Sequence, residues 1–142
     1  MPSFGRASHL RVITLREDLR MVLEEAIKHT PIDFSVIEGH RTEERQEEFY
    51  AQGRTTPGKI VTNAKGGESP HNQYPSPAVD IVPYINGRAV WDDDSAWNRL
   101  AGYIVGIANA NNVDIMWGAD FRNLKDSPHF EVISNPLTGM EG

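Results

Sequence analysis

The chain contains no cysteine, which removes disulfide frameworks, thiolate metal sites and cysteine nucleophiles together. Positive charge is also short. The 14 Lys and Arg stand against 20 Asp and Glu, for a formal net charge of −6. Gripping a phosphate backbone needs a basic face, and an anionic membrane surface attracts clusters of Lys and Arg. Neither a nucleic-acid partner nor membrane insertion is therefore expected. No run reaches the ~18 apolar residues of a membrane span. The opening Met1-Pro2-Ser3-Phe4-Gly5-Arg6 lacks the apolar stretch of a secretory signal peptide. The expected place of the chain is the cytoplasm in which it is made. Histidine is scarce as well. A metal site without thiolates must draw on His, Asp and Glu, and the five His are His9, His29, His40, His71 and His129.

Its 142 residues, 39% hydrophobic and 24% charged, suit one globular domain over 1–142. There is no repeat and no low-complexity tract. Thr14-Leu15-Arg16-Glu17 fits a capping box. Leu15, Leu19, Val22, Leu23 and Ala26 then recur at helical spacing, predicting a helix over about 15–29 that ends before Pro31. Phe34-Ser35-Val36-Ile37 reads as a short strand. Thr42 can cap a second helix over about 43–52, closed by Gly53. Residues 54–77 are rich in Pro, Gly and polar residues and read as a long irregular loop, a length that often marks function. Ala78–Val82 reads as a strand followed by an Ile85-Asn86-Gly87 turn. Asp92, Asp93 and Asp94 suit the start of a third helix, whose apolar stripe is Trp97, Leu100, Ala101, Ile104 and Ala108. Val113–Trp117 and His129–Ile133 read as two more strands. This order predicts the α+β class, a small antiparallel sheet with helices packed against it.

Three segments could carry chemistry: Gly39–Gln46, Ser69–Asp80 and Asp126–Glu131. A catalytic zinc keeps three protein ligands and leaves a fourth position for water. Two neutral imidazoles and one carboxylate leave such a site with net charge about +1, which draws the pKa of that water toward ~7. His71, Asp80 and His129 could form that set, with Asp126 anchored three residues before His129 as a general base. Spacing alone leaves open that these are ordinary surface, core and turn residues. A Ser69–His71–Asp80 hydrolase triad is disfavoured because no nucleophile-elbow pattern surrounds Ser69. Trp91, Trp97 and Trp117 read as core or cleft wall rather than as a stacking platform, His40 as a neighbour shaping the surroundings of Arg41, and His9 and His29 as surface residues.

Ser69-x-His71, Ala78-Val79-Asp80 and Asp126-x-Pro128-His129-Phe130-Glu131, taken in order, resemble the signature of the LAS-type zinc metallopeptidases. That group holds lysostaphin-like enzymes, D-alanyl-D-alanine carboxypeptidases and the zinc domain of sonic hedgehog. The stretch Ile37-Glu38-Gly39-His40-Arg41-Thr42, with Gln46 and Tyr50–Thr55 after it, is similar to the group's peptidoglycan peptidases. Likeness is greatest to single-domain phage endolysins and bacterial autolysins that cut the L-alanyl–D-glutamate bond. The resemblance runs from about Val36 to Val132. It implies a hedgehog/D-Ala-D-Ala-peptidase-like fold and a Zn²⁺ held by His71, Asp80 and His129. It implies Asp126 as the base that takes a proton from the attacking water and returns one to the leaving amine. Arg41 would lie by the scissile carbonyl, Ser69 would line the substrate, and Gln46 would orient Arg41 or touch the peptide. The nine-residue step from His71 to Asp80 is longer than the tightest family pattern. Asp126 stands where the dipeptidase branch has Glu, and its shorter arm demands a closer backbone. Glu131 is an alternative base, or a partner for a ligating imidazole.

The implied function is a zinc-dependent peptidoglycan peptidase, an endolysin acting as a monomer on the stem peptide. Such an enzyme would wait in a host cytoplasm until the membrane is permeabilised. A D-Ala-D-Ala carboxypeptidase would use the same ligands around a different pocket. A non-catalytic zinc module that binds cell wall is the reading from another class, since ligands can persist without hydrolysis.

Overall fold

In the computed structural model the described residues are 3–120 and 126–133. The helices are α1 (Arg6–Val12), α2 (Glu17–His29), α3 (Glu43–Ala51) and α4 (Asp94–Ala110). The strands are β1 (Phe34–Glu38), β2 (Ala78–Ile85), β3 (Arg88–Ala89), β4 (Ile115–Trp117) and β5 (His129–Val132). Single 3₁₀ turns lie at Pro70–Asn72 and Gly118–Asp120. The sheet runs β1-β2-β5-β4, with β3 paired to β2, and these pairings are antiparallel. This is the α+β arrangement that the element order predicts.

Burial divides the sheet into two faces. Side chains alternate along a strand, so Phe34, Val36, Val79, Ile81, Phe130 and Val132 all point one way. They meet Leu19, Val22, Leu23, Ala26 and Ile27 of α2 and Leu100, Ala101, Ile104 and Ala108 of α4 in one core. Each buried Leu, Ile or Val contributes roughly 1.5–3 kcal/mol through removal from water. The alternate residues Ile37, Asp80, His129 and Glu131 are left to the opposite face. There α3 and the loop that follows it build the wall of a cleft. The helical stripes of α2 and α4 thus fix which face of the sheet is free for chemistry.

Several local expectations are corrected. The capping box at Thr14 does not form: Arg16 occupies the N-cap of α2 and makes no side-chain cap bond. Thr14 Oγ1 instead donates to Arg11 O at 2.6 Å and accepts from His40 N at 2.9 Å. α1 was not signalled by periodicity, having only Ser8 and Val12 buried. It is tied to β1, where Arg11 Nη1 donates to Val36 O at 2.9 Å and Ser8 Oγ accepts from Val36 N at 3.0 Å. The other caps form as the sequence reads. Thr42 accepts from Arg45 N at 3.2 Å and Asp93 from Ala96 N at 3.0 Å. β2 continues to Ile85 rather than stopping at Val82, then turns through Asn86 (φ 53°) and Gly87 (φ 78°) into β3. Two consecutive left-handed residues are what a tight hairpin of matching twist requires.

Candidate metal centre and active-site cleft

The three expected ligands come from three elements. His71 sits in the 3₁₀ turn at Pro70–Asn72, Asp80 near the start of β2, and His129 at the first residue of β5. Asp80 and His129 are direct cross-strand partners. His71 Nε2 lies 3.2 Å from Asp80 Oδ1 and 3.1 Å from His129 Nδ1, and His129 Nδ1 lies 3.2 Å from Asp80 Oδ1. Tetrahedral bonds of 2.0–2.1 Å put neighbouring ligand atoms about 3.3–3.4 Å apart. The nearly equilateral triangle therefore suits one small divalent ion, with the remaining corner toward the cleft. The nine-residue interval after His71 is absorbed by the loop without opening the triangle.

The far nitrogens of both rings are held. His71 Nδ1 is 2.8 Å from Gly39 O, and His129 Nε2 is 2.8 Å from Glu131 Oε1. A carbonyl can only accept, so His71 carries its proton on Nδ1 and turns the Nε2 lone pair inward. Glu131 accepts the Nε2 proton of His129 in the same way, which leaves Nδ1 as the atom that would turn to a metal once its own proton is displaced. Gly39 also admits no larger residue, because a Cβ there would overlap Thr14 Oγ1 and meet Arg11 O at 2.5 Å. Ser69 Oγ accepts from His71 N at 3.2 Å and so caps the turn that presents His71, while Ser69 itself is buried along the cleft.

Burial alone would raise the carboxyl of Asp80, yet the imidazoles of His129 and His71 beside it hold it far below the usual range. Burial lowers His129, but the carboxylates of Asp80 and Glu131 outweigh it and push the imidazole up to about 9. Asp126 is raised by burial and by the charge of Asp80, against the pull of His129, His71 and Arg41. A carboxyl tuned upward is suited to proton transfer. Its backbone comes close because position 118 is glycine: a Cβ there would collide with Asp126 O, and Asp126 N donates to Gly118 O at 2.9 Å. That contact holds the Asp126 backbone against the 3₁₀ turn at Gly118–Asp120.

Arg41 is 8% exposed and rigidly held. It donates through Nε to Glu38 Oε1 at 2.8 Å, through Nη1 to Gln46 Oε1 at 2.8 Å, and through Nη2 to Asp80 Oδ2 at 3.4 Å. Its guanidinium carbon lies 4.6 Å from the ring centre of Phe49. Gln46 has no exposed surface, and its Nε2 donates to Ala64 O at 2.8 Å. The buried amide thus links Arg41 to the cleft wall. That wall is fastened by Gly66 N to Glu47 Oε1 at 2.6 Å and by Arg54 Nη1 to Thr62 O at 3.1 Å. The cleft encloses about 920 Å³ and is lined by Arg41, His71, Asp80, Asp126, His129 and Glu131 among others.

The family model for phage L-alanyl-D-glutamate peptidases matches residues 2–135. The chain belongs to that family. Membership makes it a hydrolase and sets the site above within a peptidase. Among curated proteins it is similar to the peptidoglycan L-alanyl-D-glutamate endopeptidase CwlK of Bacillus subtilis, 37% identical over 116 residues, 80% of this chain and 68% of that one. It is also similar to the L-alanyl-D-glutamate peptidase of Escherichia phage T5, 26% identical over 129 residues, 91% and 88% of the two chains. Among solved structures, the L-Ala D-Glu endopeptidase ChiX of Serratia marcescens superposes with a TM-score of 0.73 at 27% identity, covering 92% of this chain and 89% of that one. Among the described residues no helix is long and apolar enough to cross a membrane.

Some of this was not legible in advance. Glu38 ends β1, where no helical spacing marks its pairing with Arg41 three residues on. Gly39 and Gly118 act through their backbones and carry no chemical signature. His40 lies half-buried, edge-on to Tyr74 at 5.3 Å. His9 and His29 are exposed.

Proposed function

We propose that the chain is a zinc-dependent endopeptidase that hydrolyses the L-alanyl–D-glutamate bond of the peptidoglycan stem peptide. It would work as a monomeric endolysin, made in a host cytoplasm and admitted to the wall once the membrane is breached. The observation that carries this reading is the ligand triangle of His71, Asp80 and His129, which shares one cleft with Asp126 and Arg41. Two imidazole nitrogens and one carboxylate oxygen are a donor set that zinc accepts. Asp80, Asp126 and Glu131 gather carboxylates around this spot, and a dication balances them. When bound, the ion supplies a Lewis acid that polarises the scissile carbonyl and acidifies water.

The remaining steps belong to the chain itself. Asp126 takes the proton of the attacking water and delivers it to the departing amine. Arg41 has five N–H donors, three of them spent on Glu38, Gln46 and Asp80. The rest of its fork faces the negative charge that grows on the carbonyl oxygen. A guanidinium fixed in advance stabilises that charge without reorganising at the moment of reaction. Gln46, buried, acts through Arg41 rather than on the peptide. Ser69 presents the turn of His71 and the edge of the cleft beside it.

Defined peptidoglycan digested with and without a chelator tests this reading by fragment mass. Fragments separated between L-Ala and D-Glu are expected, and the chelator should abolish them. Release of single D-Ala would instead show a carboxypeptidase. Tight wall binding without cutting would show a binding module. Hydrolysis that survives the combined changes His71→Ala and His129→Ala would end the proposal.

A further inference from the structure

Three tryptophans have three different fates. Trp97 is 4% exposed and donates Nε1 to Trp91 O at 2.9 Å. Trp117 lies nearly parallel to Phe130, ring centres 6.3 Å apart, and donates Nε1 to Ser127 O at 2.7 Å. Trp91 is 51% exposed and lines the cleft that holds the ligand triangle. It is not loose. Its ring rests against that of Trp97 at 6.2 Å, and Val90 N donates to Pro83 O at 2.9 Å just before it. A second aromatic ring of the cleft, Phe49, is taken by Arg41 and Arg45, whose guanidinium carbons sit 4.6 and 4.9 Å from its centre. Trp91 is therefore a held, open indole surface in the reaction cleft. A group held before binding loses little freedom when a ligand covers it.

We propose that Trp91 is the platform of a saccharide subsite, its indole face stacking on the pyranose ring of the muramyl residue that carries the stem peptide. The inference rests on the endopeptidase reading above. In that substrate the scissile carbonyl belongs to L-alanine, whose nitrogen is acylated by the lactyl arm of the sugar. One extended residue spans at most about 3.6 Å, and a lactyl unit about as much. The sugar thus begins within about 8 Å of the bond that breaks, too near to escape the cleft or its rim. The methyl of L-alanine is too small to cover an indole. The C–H face of a pyranose has a similar area and a slightly positive character, which the negative face of an aromatic ring attracts. Trp91 would make the enzyme prefer stem peptides still attached to glycan.

Two substrates test this: muramyl-L-Ala-D-Glu-diaminopimelate and the N-acetyl tripeptide of the same sequence, which lacks the sugar but keeps the amide. kcat/KM is measured on both with the zinc-loaded enzyme, and mass spectrometry locates the cut. Wild type should prefer the muramyl substrate. Trp91→Ala should erase most of that preference, by up to about tenfold, with the N-acetyl tripeptide cleaved as before. Trp91→Leu, which still covers Trp97 but offers no flat face, should match it, and Trp91→Phe should retain part of the preference. Circular dichroism verifies folding, and Trp91→Leu serves if Trp91→Ala does not fold. No preference in wild type, or an equal loss on both substrates, overturns the subsite alone. The equal loss would place the indole against the peptide on the diaminopimelate side. Failure to cut either substrate would remove the endopeptidase reading and the subsite with it.

Discussion

Glu131→Ala should separate metal binding from chemistry. Glu131 Oε1 lies 2.8 Å from Nε2 of a histidine that is 5% exposed, while its own side chain is 27% exposed. A hydrogen bond to a charged acceptor is worth about 1.5–3 kcal/mol. Part of that is recoverable here, because water can reach the place Glu131 leaves. The expected loss is about 1.4–2 kcal/mol, a metal affinity weakened roughly 10- to 30-fold. Glu131→Gln keeps an acceptor without the charge and should lose less. Competition for zinc against a chelating dye measures the affinity. Turnover at saturating zinc should stay near wild type, since the ring is held again once the ion is bound. Unchanged affinity would refute the reasoning. So would turnover that collapses at saturating zinc with affinity intact, which would make Glu131 the proton carrier in place of Asp126.

Asp126→Asn should keep one zinc per chain by elemental analysis while kcat falls at least about 100-fold, the usual worth of a positioned acid–base group. Gly118→Ala drives a Cβ into Asp126 O and to within 2.9 Å of the His129 Cβ. Overpacking of this kind costs about 1–3 kcal/mol, visible as a melting point lower by several degrees, and turnover should fall further than folding does. The pH response of chelated protein follows from His129, which is raised from its ordinary 6.5 to about 9. A raised imidazole stabilises the fold in full below 6.5 and loses that contribution as pH climbs to about 9, up to roughly 3 kcal/mol. Thermal melts of the chelated protein should therefore weaken over that window. The gain from added zinc should widen, because the ion displaces the same proton. A flat melting point for the chelated protein across the window would contradict this.

The parts of the fold written in side-chain periodicity were legible in the sequence. The stripes Leu19-Val22-Leu23-Ala26 and Leu100-Ala101-Ile104-Ala108 both face the core. α1 was not legible, because with Ser8 and Val12 as its buried residues it has no stripe; it is held by hydrogen bonds to β1. Thr14 misled because a capping sequence is local, whereas its hydroxyl is claimed by His40 N, 26 positions away. At the site, the ligand triangle brings together residues that their order along the chain suggested and their spacing alone did not. The supports of those residues were silent. Gly39 O, the bare Cα of Gly118 and the double use of the Gln46 amide are facts about backbone proximity, which composition and motif do not encode.

Asp80 faces His129 directly across two antiparallel strands. A slip of one position between β2 and β5 would turn one of the two toward the helices and leave a hydrophobic residue in its stead. Under the proposed reading, capture of a dication is conditional on strand alignment, and mispaired chains would be inactive. Zinc uptake by refolding protein would count correctly annealed molecules, and resistance to chelator stripping would rank variants by how firmly that alignment is kept.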